Sequence, residues 1–115
     1  MNDAPIKKQL VSIGILCFNA RNTIIRAIKG ALEQEWKNLE VFVVDDCSSD
    51  DSVEVIKKSN FFKNINLIEN KKNMGPAFSR NVIIAHAKGE FICFMDDDDF
   101  SYPKRVSLQI KSLYR

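Results

Sequence analysis

The sequence predicts an α/β fold in which a mostly parallel sheet is flanked by helices. Apolar runs of strand length alternate along the chain with segments of helical period, which is the pattern of strands joined by crossover helices. The first run, residues 11–18, is apolar almost throughout and therefore fits a central strand with both faces buried. We expect four strands in the order 3-2-1-4, a Rossmann-like arrangement, because this order brings the polar strand ends together.

Strand one, Val11 to Phe18, ends at Asn19. A helix is predicted from Asn22 to Glu35, because apolar residues recur there every three or four positions, and Asn19 or Asn22 is available as its N-cap. Strand two is predicted from Glu40 to Val44, where the apolar run stops at two aspartates.

The middle of the chain supplies a second helix, predicted at residues 51–59, and a short third strand at residues 65–69. A third helix is predicted from Ala77 to Lys88, with Pro76 near its first position and Gly89 as its C-terminal stop.

Strand four is predicted from Glu90 to Met95 and leads directly into four consecutive aspartates, Asp96 to Asp99. After them Ser101 can cap a last helix and Pro103 can open it. Two carboxylates about 5 Å apart repel by roughly 3 kcal/mol at an effective dielectric near 20, so this block needs either water or a cation.

Length and composition narrow the classes of protein. The chain of 115 residues fits one domain, and its net charge of +2 comes from scattered basic pairs rather than from a stripe that would bind nucleic acid. Neither a transmembrane segment nor a signal peptide is evident, so a cytoplasmic protein is the expectation. Three widely spaced cysteines are interpreted as reduced, and His86 as structural or exposed.

The polar strand ends predict the place of a site. Asn19, Asp45 to Asp46 and Asp96 to Asp99 all follow predicted strands, and ligands of open α/β sheets bind beyond the carboxyl ends of strands. The turn at residues 18–22 has no glycine, which excludes a dinucleotide fingerprint and a P-loop. A divalent metal held by aspartates is the alternative way to neutralise a diphosphate.

Five segments in order carry a resemblance: VSIGILCFN, ALEQEW, EVFVVDDCSSD, NKKNMGPAFSRN and KGEFICFMDDDDFSYPKR. The chain from about Val11 to Arg115 resembles the N-terminal, donor-binding part of family 2 glycosyltransferases of the GT-A fold. The resemblance implies a nucleotide-diphospho-sugar donor, usually a UDP-sugar, a cofactor that is Mn²⁺ or Mg²⁺, and inversion at the anomeric carbon. It also implies a role in polysaccharide biosynthesis.

Site residues follow from the same resemblance. Phe18 and Asn19 match the family's residues near the nucleotide, and Asp46 resembles the aspartate that accepts a hydrogen bond from the base. Asp45 is expected to orient neighbouring groups. Arg80 matches an arginine that can touch the base or the diphosphate.

The aspartate run fits the DXD motif of the family. Asp98 resembles the metal ligand, with Asp96 as a second candidate, and Asp96 or Asp97 would face the ribose. Asp99 matches a further acid that often follows the motif.

The resemblance also implies what the chain lacks. Residues 1–10 are interpreted as a tail and residues 11–115 as the nucleotide-sugar-binding half of a truncated GT-A domain. The acceptor half and its general base are expected elsewhere, so the catalytic residue and the acceptor are unassigned and the chain alone is expected to be inactive. The full enzyme could be peripheral at the inner face of the membrane, and a bare sheet edge predicts self-association.

Three alternatives remain open at this point. A non-catalytic module that binds metal and nucleotide-sugar has the same motifs. A Mg²⁺-binding receiver domain places its acidic pair after the first strand, whereas Asn19 stands there. A calcium-binding loop needs glycine at its sixth position, which Ser101 occupies.

Overall fold

The computed structural model describes residues 9–113 and contains one four-stranded sheet. All neighbouring strands are parallel and their order is β3-β2-β1-β4, as the sequence predicted. The first eight residues of the predicted tail lie outside the described residues. The strands are β1 (Val11–Cys17), β2 (Leu39–Asp45), β3 (Asn66–Glu69) and β4 (Phe91–Asp96).

Four α-helices connect and follow the strands, and a 3₁₀ turn at Phe62–Asn64 precedes β3. The first three helices are shorter than predicted, and all four lie where the helical period placed them. The helices are α1 (Ile24–Leu32), α2 (Ser52–Lys58), α3 (Pro76–His86) and α4 (Arg105–Ser112).

The sheet is covered on both faces, which explains why β1 is apolar almost throughout. On one face Ile13 and Ile15 pack in a large cluster with side chains of α1, α2 and α4. On the other face Ile83 of α3 packs with side chains of β2. Gly14 lies under α3, and a Cβ there would be 2.6 Å from the Cδ1 of Ile83, so the glycine lets this helix approach β1 closely.

The predicted N-cap of α1 is wrong. The helix begins at Ile24 and Thr23 occupies the cap position without a side-chain hydrogen bond. The amide oxygen of Asn19 instead accepts a hydrogen bond from the backbone N–H of Ser49 at 2.8 Å, so it is engaged by a distant loop, and Asn22 also makes no cap. A partner 30 residues away has no local signal in the sequence.

Gly89 was predicted to end α3, and this prediction is wrong because another residue caps the helix. Ala87 is the C-cap, with φ −65° and ψ 134°. Gly89 lies beyond it and donates its N–H to the Oγ of Ser12 at 2.9 Å. Position 89 requires glycine because a Cβ there would clash with backbone atoms at the start of β1.

The predicted start of α4 is also wrong. This helix begins at Arg105, and Lys104 precedes it without a side-chain cap, so neither Ser101 nor Pro103 plays the predicted part. The carbonyl of Pro103 accepts a hydrogen bond from the N–H of Glu35 at 2.7 Å. That contact ties the segment before α4 to the end of α1.

The structure also shows the surroundings of His86 and Trp36 and the two edges of the sheet. His86 is exposed as expected, and Trp36 is buried with its Nε1 donating to the carbonyl of Gln9 at 3.0 Å. No helix within residues 9–113 has the length and apolar character needed to cross a membrane. Strands β3 and β4 form the edges of the sheet, and self-association through an edge stays a prediction.

Candidate functional site

A cleft of 680 Å³ opens at the carboxyl ends of β1, β2 and β4. It lies where the sequence placed the site, because parallel strands end at the same side of a sheet and β1 separates β2 from β4. The start of α3 and the loop before it form the remaining wall. The lining residues are Leu16, Cys17, Phe18, Asp46, Asn73, Gly75, Pro76, Ser79, Arg80, Asp96, Asp97 and Asp98.

Asp46 is the buried anchor of the wall opposite the aspartate run. Its Oδ1 accepts hydrogen bonds from the Nδ2 of Asn70 at 2.9 Å and from the N–H of Met74 at 2.8 Å, and its Oδ2 accepts one from the N–H of Gly75 at 2.9 Å. Burial raises the pKa of this carboxyl, but the three hydrogen bonds outweigh burial and hold the pKa below its usual value. Asp46 therefore stays ionised and holds the loop before α3.

The four aspartates do not act alike, because a tight turn separates them. The N–H of Asp99 donates to the carbonyl of Asp96 at 3.1 Å, and the Oδ2 of Asp99 accepts the N–H of Asp96 at 2.7 Å. The same Oδ2 lies 3.3 Å from the Nη1 of Arg105. Asp99 is thus a structural acid of the turn, whereas Asp96, Asp97 and Asp98 line the cleft.

Asp97 connects the turn to the end of β1. Its Oδ2 accepts the N–H of Phe18 at 2.8 Å. Its pKa is nevertheless raised, chiefly because burial disfavours the charged carboxylate and also because Asp98 and Asp96 add negative charge nearby. Burial is thus the main cause of the raised pKa of Asp97, and the neighbouring carboxylates add to it.

The raised pKa of Asp97 leads to a prediction for Asp97→Asn. A folded-state pKa above the unfolded value means that ionisation opposes folding, so the penalty grows as the pH rises from about 4 and is complete above the folded pKa. The variant keeps an acceptor for Phe18 and should be more stable than the wild type at pH 7 by about 1 kcal/mol. Urea unfolding in a chelator at pH 7 and pH 3 measures this, and the gain should vanish at pH 3.

Asp50→Asn is the matched control. Hydrogen bonds from Ser52 lower the pKa of Asp50, so the same exchange at this half-buried acid should destabilise the protein at pH 7. Equal or lower stability of Asp97→Asn at pH 7 would contradict a raised pKa of Asp97.

Asp98 is exposed, and its carboxylate makes no hydrogen bond or ion pair with any residue between 9 and 113. It is thus available to a cation, and carboxylate oxygens suit Mg²⁺ or Mn²⁺. Within the same residues no group of three or more His, Cys, Asp and Glu side chains converges as a metal site. A metal at Asp98 would therefore need oxygens from its ligand or from water.

The structure separates Asn19 and Asp45 from the cleft lining. Asn19, with φ 49°, supports the loop after β2 through its amide oxygen, and its proposed contact with a nucleotide stays a prediction. Asp45 accepts both the N–H of Ser48 at 2.9 Å and its hydroxyl at 2.6 Å, which is the orienting role expected of it.

Several lining residues were missed by sequence reasoning. Asn73, Gly75, Pro76 and Ser79 form the wall opposite the aspartates, although the segment that contains them was used only for the resemblance and for the start of the third helix. The signal was the glycine and proline before a helix, which predicts a backbone turn at a strand end. Gly75 has φ 91°, a conformation that favours glycine.

Cys17 lies at the floor of the cleft but is not a nucleophile. Burial, together with the charges of Asp45 and Asp97, raises the pKa of its thiol far above the usual range. The thiol stays protonated, as the interpretation of buried cysteines required.

The comparison with known proteins decides the family. The family model described as "Glycosyl transferase family 2" matches residues 12–115. This chain belongs to glycosyltransferase family 2. The resemblance inferred from the five segments is confirmed, and the four-stranded unit is part of a GT-A fold.

Curated relatives of this family 2 chain are longer than it is. One of the most similar is the UDP-Glc:alpha-D-GlcNAc-diphosphoundecaprenol beta-1,3-glucosyltransferase WfaP of Escherichia coli, which is 38% identical over 102 residues. That match covers 89% of this chain and 40% of the relative. The chain therefore spans less than half of that enzyme.

Solved structures share the fold of this glycosyltransferase chain. S. aureus TarS 1-349 in complex with UDP-GlcNAc superposes with a TM-score of 0.76 at 28% identity, over 90% of this chain and 30% of that chain. The mannosyltransferase PcManGT from Pyrobaculum calidifontis, in complex with GDP-Man and Mn²⁺, gives a TM-score of 0.74 at 26% identity, over 85% of this chain and 30% of that one. Proteins of this fold thus include complexes with nucleotide-sugars and with a divalent metal.

Proposed function

We propose that this chain is the donor-binding part of an inverting glycosyltransferase and holds a nucleotide-diphospho-sugar, of the UDP-sugar class, through Mn²⁺ or Mg²⁺. The observation that carries the proposal is the cleft in which Asp96, Asp97 and Asp98 lie opposite Asp46 and Arg80. It offers acids for a cation on one side and a guanidinium for a phosphate on the other. Residues 11–115 form the proposed donor domain.

Different residues of the cleft would contact different parts of the donor. Asp98, with Asp96 as a second candidate, would hold the metal, and Asp96 or Asp97 would accept a ribose hydroxyl. Exposed Arg80 would contact the diphosphate or the base, and Phe18 would border the nucleotide.

Asp46 would contact the base without releasing the loop that it holds. A carboxylate offers about four acceptor positions, and donors from residues 70, 74 and 75 use three of them. The position left on Oδ2 can accept an N–H from a base.

The donor set fits the proposed metal. Asp97 carries a raised pKa and Asp98 has no ion-pair partner within residues 9–113, so both acids gain from a cation. When bound, the metal supplies positive charge that stabilises the departing nucleoside diphosphate. The Mn²⁺ named with PcManGT supports this choice.

Calorimetric titration with UDP tests the proposed donor site. The wild type should bind UDP more tightly with Mn²⁺ than in a chelator. Asp98→Ala should lower the affinity in Mn²⁺ at least tenfold, since it removes the ligand, while Glu54→Ala, which removes an exposed acid of α2, should bind like the wild type. No binding by the wild type in Mn²⁺, or unchanged binding by Asp98→Ala, would reject the proposal.

We propose further that the general base is not among residues 9–113, because the cleft acids are assigned to the donor or to the turn. The chain alone should then bind a UDP-sugar without transferring the sugar to an acceptor, as a non-catalytic binding module would. Incubation with UDP-sugars and sugar acceptors, followed by mass spectrometry, measures transfer. Turnover by this chain alone would refute this part.

A further inference from the structure

Helix α1 holds the segment that follows the cleft aspartates through residues spaced four apart. Arg26 and Gly30 lie on one face of α1, because residues four apart in a helix share a face. Gln34 follows the end of α1, and its Nε2 donates to the carbonyl of Gly30 at 3.0 Å, which places it beside the same face. Each lies against the segment 98–106, which comprises most of the link from β4 to α4 and the first two residues of α4. We call this segment the post-aspartate segment.

Gln34 fixes the far end of the post-aspartate segment. Its side chain is fully buried, its Nε2 donates to the carbonyl of Tyr102 at 3.0 Å and its Oε1 accepts the N–H of Val106 at 2.9 Å. Gly30 fixes the middle by close approach, since a Cβ there would lie 3.3 Å from the carbonyl oxygen of Ser101.

Arg26 fixes the near end, at the aspartates. Its Nη2 donates to the carbonyl oxygen of Asp98 at 2.8 Å, and its Cζ lies 5.6 Å from the centroid of the Phe100 ring. The side chain of Phe100 is 78% exposed and therefore does not pack in the core. The guanidinium of Arg26 lies over its ring and holds it by a cation–π contact.

The position of Arg26 matters because no other contact among residues 9–113 holds the side chain of Asp98. Its carboxylate has no hydrogen bond within the described chain, and a cavity of 190 Å³ is lined by residues of α1 together with Phe100 and Ser101. The post-aspartate segment therefore has room to shift around Phe100, beside the close approach of Gly30 to Ser101. The direction of the Asp98 side chain depends on its backbone, and Arg26 holds that backbone.

We propose that Arg26 is a positioning residue that sets Asp98 for metal binding from outside the cleft. The inference rests on the proposed donor function, in which Asp98 is the metal ligand. Arg26 is not among the residues that line the cleft. Removing it should weaken the part of donor binding that depends on metal and leave the rest unchanged.

Calorimetric titration of Arg26→Ala, Arg26→Lys and Lys29→Ala with UDP, in Mn²⁺ and in a chelator, tests the proposal. The affinity of Arg26→Ala for UDP should fall about tenfold in Mn²⁺, which is the size of effect seen when a group that orients a metal ligand is removed. In the chelator its affinity for UDP should equal that of the wild type. Arg26→Lys keeps a donor and a charge and should recover part of the loss. Lys29, on the same helix and beside the same cavity, is the control for charge alone.

Hydrogen exchange without metal supplies an independent readout. Amides of the post-aspartate segment should exchange faster in Arg26→Ala than in the wild type, while those of β1 should not change. Arg26→Ala with wild-type affinity in Mn²⁺, or an equal loss in Lys29→Ala, would overturn the positioning role while leaving the donor site standing. Absence of Mn²⁺-dependent binding in the wild type would overturn both.

Discussion

Asp46→Ala is expected to destabilise the protein by about 3 kcal/mol or more, because it leaves three donors without their acceptor. The backbone N–H groups of Met74 and Gly75 and the amide of Asn70 all converge on this buried carboxylate. A loss of this size is a large part of the 5–15 kcal/mol that holds a typical domain folded. Urea unfolding followed by circular dichroism measures it.

The same variant should also lose the donor site. Gly75 and Pro76 line the cleft, and without Asp46 the turn before α3 loses the hydrogen bonds of Met74 and Gly75 to the residue that follows β2. We expect no measurable UDP binding by calorimetry at temperatures where the variant is still folded. Stability within 0.5 kcal/mol of the wild type would contradict the anchoring role.

Asp46→Asn and the pH dependence of stability show how much of the stabilisation by Asp46 comes from its negative charge. The amide keeps one acceptor oxygen, so the variant should show about half the loss of Asp46→Ala. The pKa of Asp46 is held below its unfolded value of about 4, so its stabilising effect is present above pH 4 and is lost as the pH falls through the folded pKa. The difference between wild type and Asp46→Asn should therefore narrow below pH 4.

Gly89→Ala is expected to cost about 3 kcal/mol, for a steric reason alone. The added Cβ would lie 2.6 Å from the backbone nitrogen and the Oγ of Ser12 and 2.9 Å from the carbonyl oxygen of Leu10. These are atoms at the start of β1, where the N–H of Glu90 also donates to Leu10 at 2.8 Å. The backbone on either side would have to separate, and this pairing would weaken.

Gly75→Ala is the matched control, because the same methyl group there causes backbone strain rather than a steric clash. No atom lies within 4 Å of the added Cβ, but the residue has φ 91°, where an L-residue is strained by about 1–2 kcal/mol. Urea unfolding should therefore rank Gly89→Ala below Gly75→Ala in stability. The reverse order would show that the close approach at Gly89 is not needed.

The strands and their order could be predicted because their cause is local and repetitive. An apolar run such as Ile13 to Ile15 fits only a position between covered faces, and the acids at strand ends then follow from the parallel arrangement. For the same reason Asp46 and the run from Asp96 to Asp98 were correctly expected at one edge.

Caps and supports could not be predicted because their partners are distant in the sequence. Asn19 was a reasonable N-cap by residue type, yet Ser49 engages it from another loop. Arg26 and Gln34 looked like ordinary polar positions of a helix, and only the fold shows that they contact residues 72 positions away. The unequal roles of Asp98 and Asp99 likewise depend on a turn that four identical letters do not reveal.

The cleft draws its lining from four stretches of chain, near residues 16–18, 46, 73–80 and 96–98, and no two of them are neighbours in sequence. A ligand can therefore bind only where the sheet has assembled. By mass action, a donor at a hundred times its dissociation constant would add about 2.7 kcal/mol to the folded state. Ligand concentration thus acts on the melting temperature of the whole unit, so a thermal scan can rank nucleotides and metals with no assay of sugar transfer.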